Sequence, residues 1–234
     1  MRNDIVINKK TLGFFTNPER SKATGCLREA LDKARAHGYA CSINPEMKAA
    51  ACADAPAFDE KKPDIIIAFG GDGTILRAAM PASEYGAPIL GVNLGRIGFL
   101  SEIAPDEFDE ALKRLDENDY SLDSRMMLSC SVNGSAEKLC LNEALLYKRS
   151  FSGVVDISME IDGIDAGSVL CDGIIVSTST GATGYSISAG GPVIAPGLDA
   201  IIVTPICPHT LTVRPIIASG EARMRFSMNS EGYV

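Results

Sequence analysis

The stretch Ile67-Ala68-Phe69-Gly70-Gly71-Asp72-Gly73-Thr74 restricts the fold more than any other part of the chain. It closes an apolar run, Asp64 to Phe69, which reads as a buried strand. It opens onto Ile75-Leu76-Arg77-Ala78-Ala79-Met80, which has helical character. Between the two lie three glycines and one acid. Glycine leaves no side chain between its N–H and a ligand. Free N–H groups in series at a strand-to-helix turn make a nest for phosphate, helped by the helix N-terminus. A carboxylate beside bound phosphate is electrostatically costly unless it handles a proton or a metal. Asp72 therefore points to phosphoryl transfer onto a hydroxyl, with the carboxylate orienting or deprotonating the acceptor. The competing reading is a tight turn with a capping Asp. Context favours the first, because open α/β sheets bind ligands at the carboxyl ends of their strands.

The chain before this stretch supports an α/β arrangement. Thr11 to Phe15 reads as a first strand, ended by Thr16-Asn17-Pro18. A helix follows from about Glu19 to Ala36, with Leu27, Leu31 and Ala34 on one face and Gly38 as its stop. Tyr39 to Ile43 is a second strand, and Met47 to Ala57 is either a weak helix or a loop. Strand, helix, strand and strand-to-helix turn in this order mean a parallel sheet with crossover helices. Ile89 to Asn93 is the next strand and runs into Leu94-Gly95-Arg96-Ile97-Gly98-Phe99-Leu100. That loop is either strain relief by glycine or a second wall of a nucleotide crevice, with Arg96 as an anion contact. Pro105 to Glu117 reads as a short amphipathic helix carrying Phe108, Leu112 and Leu115. The acidic run Asp116-Glu117-Asn118-Asp119 marks a hinge, giving expected domains 1–119 and 120–234.

Beyond Tyr120 the pattern changes to strands joined by tight turns. Met126 to Val132, Leu139 to Tyr147, Val154 to Ile161 and Ile174 to Thr178 read as strands, and Asn133-Gly134 and Asp162-Gly163 as hairpin turns. Ala200 to Pro205, Arg214 to Ala218 and Ala222 to Met228 continue an antiparallel module. Asn142-Glu143 puts an amide and an acid side by side in an otherwise apolar strand. Successive strand side chains face opposite ways, so this is either a solvated edge or bulge, or a pair that grips sugar hydroxyls. The polar stretch Asp172 to Pro192 is rich in hydroxyls and glycines around Tyr185. It suits either simple Ser/Thr turns or recognition of a base and ribose.

Charge and cysteine usage narrow the partners. With 22 Lys plus Arg against 30 Asp plus Glu, the net charge of −8 argues against nucleic acid and anionic membrane. Seven scattered cysteines without a Cys-x-x-Cys pair read as reduced thiols of a cytoplasmic protein. The two histidines, His37 and His209, lie far apart and read as structural or surface residues. Neither a signal peptide nor a membrane-length apolar run is visible.

Taken in order, these motifs resemble the NAD kinase family, which phosphorylates the adenosine 2′-hydroxyl of NAD. The motifs are Gly70-Gly71-Asp72-Gly73-Thr74, Gly91 to Leu100, Asn142-Glu143, Asp172-Gly173 with Ser177-Thr178 and Thr180-Gly181 through Tyr185 to Gly190-Gly191-Pro192, and Thr204 to His209. The resemblance implies an α/β N-terminal domain with a parallel sheet and an all-β, β-sandwich-like C-terminal domain, with NAD in the cleft. It implies that Asp72 orients and deprotonates the 2′-hydroxyl, and that Gly70, Gly71, Gly73 and Thr74 hold the donor phosphates. Asn142 and Glu143 would contact NAD hydroxyls. Thr183, Gly184, Tyr185 and Ser188 would line the adenosine end, and Asp172 would lie near the other nucleoside. Gly73 would also touch NAD. ATP or polyphosphate as donor, Mg²⁺ or another divalent cation, and a homodimer or homotetramer are implied as well.

The chain departs from the family pattern in places. Gly181-Ala182-Thr183-Gly184-Tyr185 lacks a hydroxyl and a methyl usual beside the base site, Ser179 replaces a proline, and Cys171 replaces a small residue. The sequence stops at Val234, earlier than the family norm, so the expected second domain is trimmed or reduced. The alternatives are a lipid or sugar-phosphate kinase of the same glycine-acid type, or a catalytically idle nucleotide sensor. The first lacks its own catalytic patterns here.

Overall fold

The computed structural model describes residues 11–17, 21–48, 54–95, 98–149 and 153–229. The chain divides into two compact units, Met1–Leu122 and Asp123–Val234.

The first unit contains β1 (Thr11–Thr16), α1 (Ser21–Ala36), β2 (Ala40–Ile43), α2 (Pro45–Lys48), β3 (Ile65–Phe69), α3 (Asp72–Tyr85), β4 (Ile89–Val92) and α4 (Phe108–Asp116). Its four strands form one parallel sheet in the order β2-β1-β3-β4. Both faces are apolar, as a sheet covered by helices on each side requires. Leu12, Phe14, Ile65, Ile67 and Phe69 point to one side and pack with Leu27 and Leu31 of α1 and Phe108 and Leu112 of α4. Phe15, Ile66 and Ala68 point to the other and pack with Ile75, Ala78 and Ala82 of α3. This period-2 split of two apolar faces is why β3 reads as an unbroken hydrophobic run. α1 ends where Gly38 (φ 84°) lets Tyr39 N–H reach Ala34 O (3.0 Å) and its own N–H reach Arg35 O (2.9 Å). The ambiguous segment after Asn44 contributes the single turn α2, and its residues 49–53 lie outside those described.

The second unit contains β5 (Leu128–Cys130), β6 (Lys138–Cys140), β7 (Glu143–Tyr147), β8 (Val155–Ile161), β9 (Ile164–Cys171), β10 (Gly173–Thr178), α5 (Tyr185–Ser188), β11 (Ala200–Ile206), β12 (Ile216–Ser219) and β13 (Met224–Asn229). All pairings are antiparallel: β12-β11-β10-β7, β13-β8-β9, and the small ribbon β5-β6. The two larger sheets share a core of Ile157, Val169, Cys171, Ile174 and Val203, flanked by Leu146 and Phe226, which makes a sandwich. Asn133-Gly134 and Asp162-Gly163 both adopt positive φ at consecutive residues, the signature of a type I′ turn.

Two expectations need correcting. Leu139 to Tyr147 is not one strand: the ladder breaks at Leu141-Asn142. Thr178 draws those residues aside, its N–H donating to Asn142 O (2.8 Å) and its Oγ1 to Leu141 O (2.6 Å). Ile164–Cys171 forms a strand that the sequence does not announce, because its residues are mostly exposed and interrupted by Gly167. No helix among the described residues is long and apolar enough to cross a membrane.

Candidate active site

The turn after β3 is held from below. Phe69 stacks on Phe14 (centroids 6.2 Å apart) and meets Phe108 edge-on (5.6 Å), and Gly70 N–H donates to Val92 O at 2.9 Å. The chain then enters α3 with Gly71 as its N-cap and no side-chain cap. Thr74 and Ile75 N–H turn back to Gly71 O (2.8 and 3.4 Å). The amides before them, those of Gly71, Asp72 and Gly73, have no acceptor among the described residues. A helix leaves its first N–H groups unpaired and carries partial positive charge there. β-carbons at Gly71 and Gly73 would meet none of the described residues within 4 Å, which leaves these amides open to an anion on that side among the described residues. Thr74 is buried under Gly70; its amide is already paired with Gly71 O and its hydroxyl lies against Gly70.

Asp72 does more than sit beside this nest. Its Oδ2 accepts Phe99 N–H at 2.9 Å and its Oδ1 accepts Leu100 N–H at 3.0 Å. The carboxylate thus ties the head of α3 to the loop after β4. Gly98 makes this possible, since a β-carbon there would overlap the carboxylate. Each oxygen keeps a second lone pair, enough to accept a proton or a hydrogen bond from an acceptor hydroxyl. The sequence placed Asp72 and the Gly95–Gly98 loop separately and did not pair them. Arg96 lies outside the described residues.

The second unit assembles another polar cluster. Because the ladder breaks before β7, Asn142 and Glu143 do not point to opposite faces: both side chains converge on Gly184. A β-carbon on Gly184 would stand 3.3 Å from Asn142 Nδ2 and 3.4 Å from Glu143 Oε2. Asn142 Oδ1, Glu143 Oε2 and Ser177 Oγ are buried without a hydrogen-bond partner among the described residues. Ser177 lies across from Glu143 in the β10–β7 register; the sequence reading named it within the Ser177-Thr178 motif without giving it a role. Buried polar atoms without partners cost about 1–3 kcal/mol each, so these three make the cluster a candidate ligand contact. Burial alone holds the Glu143 carboxyl above the usual carboxylate range.

The rest of the hydroxyl-rich stretch frames this cluster. A 3₁₀ turn, Gly181–Thr183, precedes α5. Gly181 packs against the backbone of Asn142 so closely that a β-carbon would overlap Asn142 O. Ser186 Oγ and Thr204 Oγ1 share a buried hydrogen bond of 2.8 Å that fastens α5 to β11. Thr183 Oγ1 donates to Thr180 O (3.3 Å), while Tyr185 and Ser188 are exposed. Asp172 stands apart, at the other end of β10, roughly 16 Å along the strand from Ser177. It pairs with Lys148 (2.6 Å), which also donates to Gly153 O at 2.8 Å.

Comparison with known proteins decides the family. Residues 17–120 match the family model of the ATP-NAD kinase N-terminal domain, and residues 141–233 that of the ATP-NAD kinase C-terminal domain. The NAD kinase of Geotalea daltonii is 38% identical over 228 residues, covering 94% of this chain and 80% of that protein. The NAD kinase of Acidobacterium capsulatum is 34% identical over 230 residues, with the same coverage of 94% and 80%. The chain belongs to the NAD kinase family. Its fold is similar to that of yeast NADH kinase complexed with NADH (TM-score 0.82, 23% identity, 95% of this chain and 69% of that one). It is also similar to an NAD kinase from Archaeoglobus fulgidus in complex with ATP (TM-score 0.74, 27% identity, 93% and 80%).

The departures from the family pattern have structural accounts. Cys171 is fully buried and fills the sandwich core. Ser179 Oγ donates to Leu198 O, which tethers the loop where the family has a rigid proline. Ala182 is fully buried, and at Gly184 the Asn142–Glu143 pair and Gly181 O stand too close for a β-carbon to fit without a small shift. A divalent ion has no protein cage here: among the described residues no three His, Cys, Asp or Glu groups gather to hold a metal. The Asp72 oxygens already accept two amides.

Proposed function

We propose that this chain phosphorylates the adenosine 2′-hydroxyl of NAD with ATP as donor, giving NADP. The observation that carries the reading is the Asp72 carboxylate, fixed by two backbone amides, at the head of a helix whose first amides are free. In this reading the Gly71, Asp72 and Gly73 amides hold the donor phosphates by charge-assisted hydrogen bonds. Asp72 accepts the proton of the 2′-hydroxyl as its oxygen attacks the terminal phosphorus, and the bond to the nucleoside diphosphate breaks. Asn142, Glu143 and Ser177 take the hydroxyls of the acceptor, which would satisfy their unpaired atoms. Thr183, Gly184, Tyr185 and Ser188 line the adenosine end, and Asp172, held by Lys148, serves the distant nucleoside.

A divalent cation, Mg²⁺ foremost, neutralises the donor phosphates when bound. It would arrive with the triphosphate, as is usual for an ion that keeps its waters and leans on substrate oxygens. A cytoplasmic location accords with free thiols at all six described cysteines. A homodimer or homotetramer completes the reading. Incubation with NAD, ATP and Mg²⁺, with NADP read by an NADP-specific dehydrogenase, tests it. Steady NADP formation is expected; binding of NAD with no NADP formed would leave a nucleotide sensor instead.

A further inference from the structure

Cysteines 130 and 140 are ten residues apart in sequence and fall at the ends of β5 and β6. The register sets Cys130 opposite Lys138 and Cys140 opposite Leu128. The two thiols therefore share one face of the ribbon, on its diagonal. Cys130 Sγ donates to Lys138 O at 3.5 Å, the residue directly opposite it and two before Cys140. Neither is buried in a core: both are partly exposed, unlike Cys41 and Cys171.

We propose that Cys130 and Cys140 form a redox-modification site, closed by hydrogen peroxide into an intrachain disulfide that stiffens the segment presenting Asn142 and Glu143. The step balances. The Cys130 thiolate attacks one peroxide oxygen, the O–O bond breaks, and the departing hydroxide takes up the proton the thiol had released, giving a sulfenic acid and one water. The Cys140 sulfur then attacks the Cys130 sulfur, the S–O bond breaks, and a second water leaves with the Cys140 proton. Two thiols and one peroxide become one disulfide and two waters. Burial, reinforced by Cys130 and the Glu143 carboxylate, pushes the Cys140 thiol up to about 11. It therefore stays protonated at neutral pH, which suits Cys140 to the resolving step, where it gives up that proton.

The link acts on the acceptor cluster because Cys140 leads straight into the break before β7. Leu141 O and Asn142 O are both tied to Thr178. Fixing Cys140 to β5 constrains the other end of that two-residue bridge. This consequence rests on the NAD-binding role proposed above for Asn142 and Glu143; the disulfide itself does not.

The test is peroxide treatment of the full chain, then peptide mapping without reductant, beside KM for NAD and for ATP in both redox states. The expected result is one crosslink between the peptides bearing Cys130 and Cys140, reversed by dithiothreitol. It should be lost in Cys130→Ser and Cys140→Ser and kept in Cys207→Ser. KM for NAD should shift by about threefold or more with KM for ATP unchanged. Cys130→Ala repeats the test if the serine variant does not fold. Separate over-oxidation of the two thiols, or links scattered to other cysteines, would overturn the site. A clean crosslink with an unmoved KM for NAD would overturn the coupling. If no NADP forms even in the reduced protein, the kinase reading fails while the map still decides the disulfide.

Discussion

Gly98 exists to make room for Asp72. A β-carbon at position 98 would overlap the carboxylate that accepts the next two amides, Phe99 N–H at 2.9 Å and Leu100 N–H at 3.0 Å. Gly98→Ala therefore has to push Asp72 off its two donors or shift the loop. Catalytic groups displaced by about 1 Å lose about 10²-fold, so kcat should fall by roughly that factor. Stability should fall by no more than the loss of those two hydrogen bonds, about 1 kcal/mol each. An unchanged kcat would mean that the Asp72 position is not set by this loop.

Asp72→Asn separates the two duties of the carboxylate. Asparagine has one acceptor oxygen and one donor nitrogen, so it can satisfy only one of the Phe99 and Leu100 amides and faces the other with a donor. Loss of general-base help should lower kcat by about 10²–10⁴-fold. Loss of one amide acceptor should cost about 1 kcal/mol of stability, read by urea unfolding. NAD binding, followed by isothermal calorimetry, should survive. Near wild-type turnover would remove Asp72 from the chemistry and leave it only as a latch.

Glu143 carries a pH signature that can be read without substrate. Burial raises its folded-state pKa above the ordinary 4.5. The stability contribution of its neutral form is fully present below about pH 4.5 and is lost as pH rises through the folded value, since the unfolded chain ionises first. Glu143→Gln removes the buried charge. It should stabilise the ligand-free protein at pH 7.5, give no gain at pH 4, and raise KM for NAD. Equal melting temperatures for variant and parent at pH 7.5 would show that the carboxylate is solvated in the free protein.

How far the sequence could be read depended on the kind of signal. β3 and the turn into α3 are legible because a strand buried on both faces writes a continuous apolar run, and the glycines after it have few other uses. The type I′ turns at Asn133-Gly134 and Asp162-Gly163 are legible for the same local reason. β9 is not, since an edge strand that buries mainly Val169 and Cys171 has little alternation to show. The latch between Asp72 and the amides after Gly98, the pairing of Ser177 with Glu143 across two strands, and the convergence of Asn142 and Glu143 on Gly184 are contacts across 27 residues or more, or depend on a ladder break imposed by Thr178. Periodicity carries no record of either. The Cys130–Cys140 proximity was hidden likewise, because spacing alone made the cysteines look scattered.

Gly184 gives the last prediction, and it concerns the acceptor end rather than the phosphates. Where the family carries a methyl, a β-carbon in this chain would stand 3.3 Å from Asn142 Nδ2, 3.4 Å from Glu143 Oε2 and 3.2 Å from Gly181 O. Those separations are tighter than ordinary carbon contacts, so Gly184→Ala must move the Asn142 amide by a few tenths of an ångström. A shift of that size is a fraction of the ~1 Å that costs ~10²-fold, so KM for NAD should rise by about threefold to tenfold while kcat stays nearly constant. The split matters: a residue that only shaped the fold would change melting temperature without selecting between the two substrates. Titration of NAD at saturating ATP, and of ATP at saturating NAD, reads it directly. An equal rise in both KM values would place Gly184 in the scaffold instead of the acceptor site.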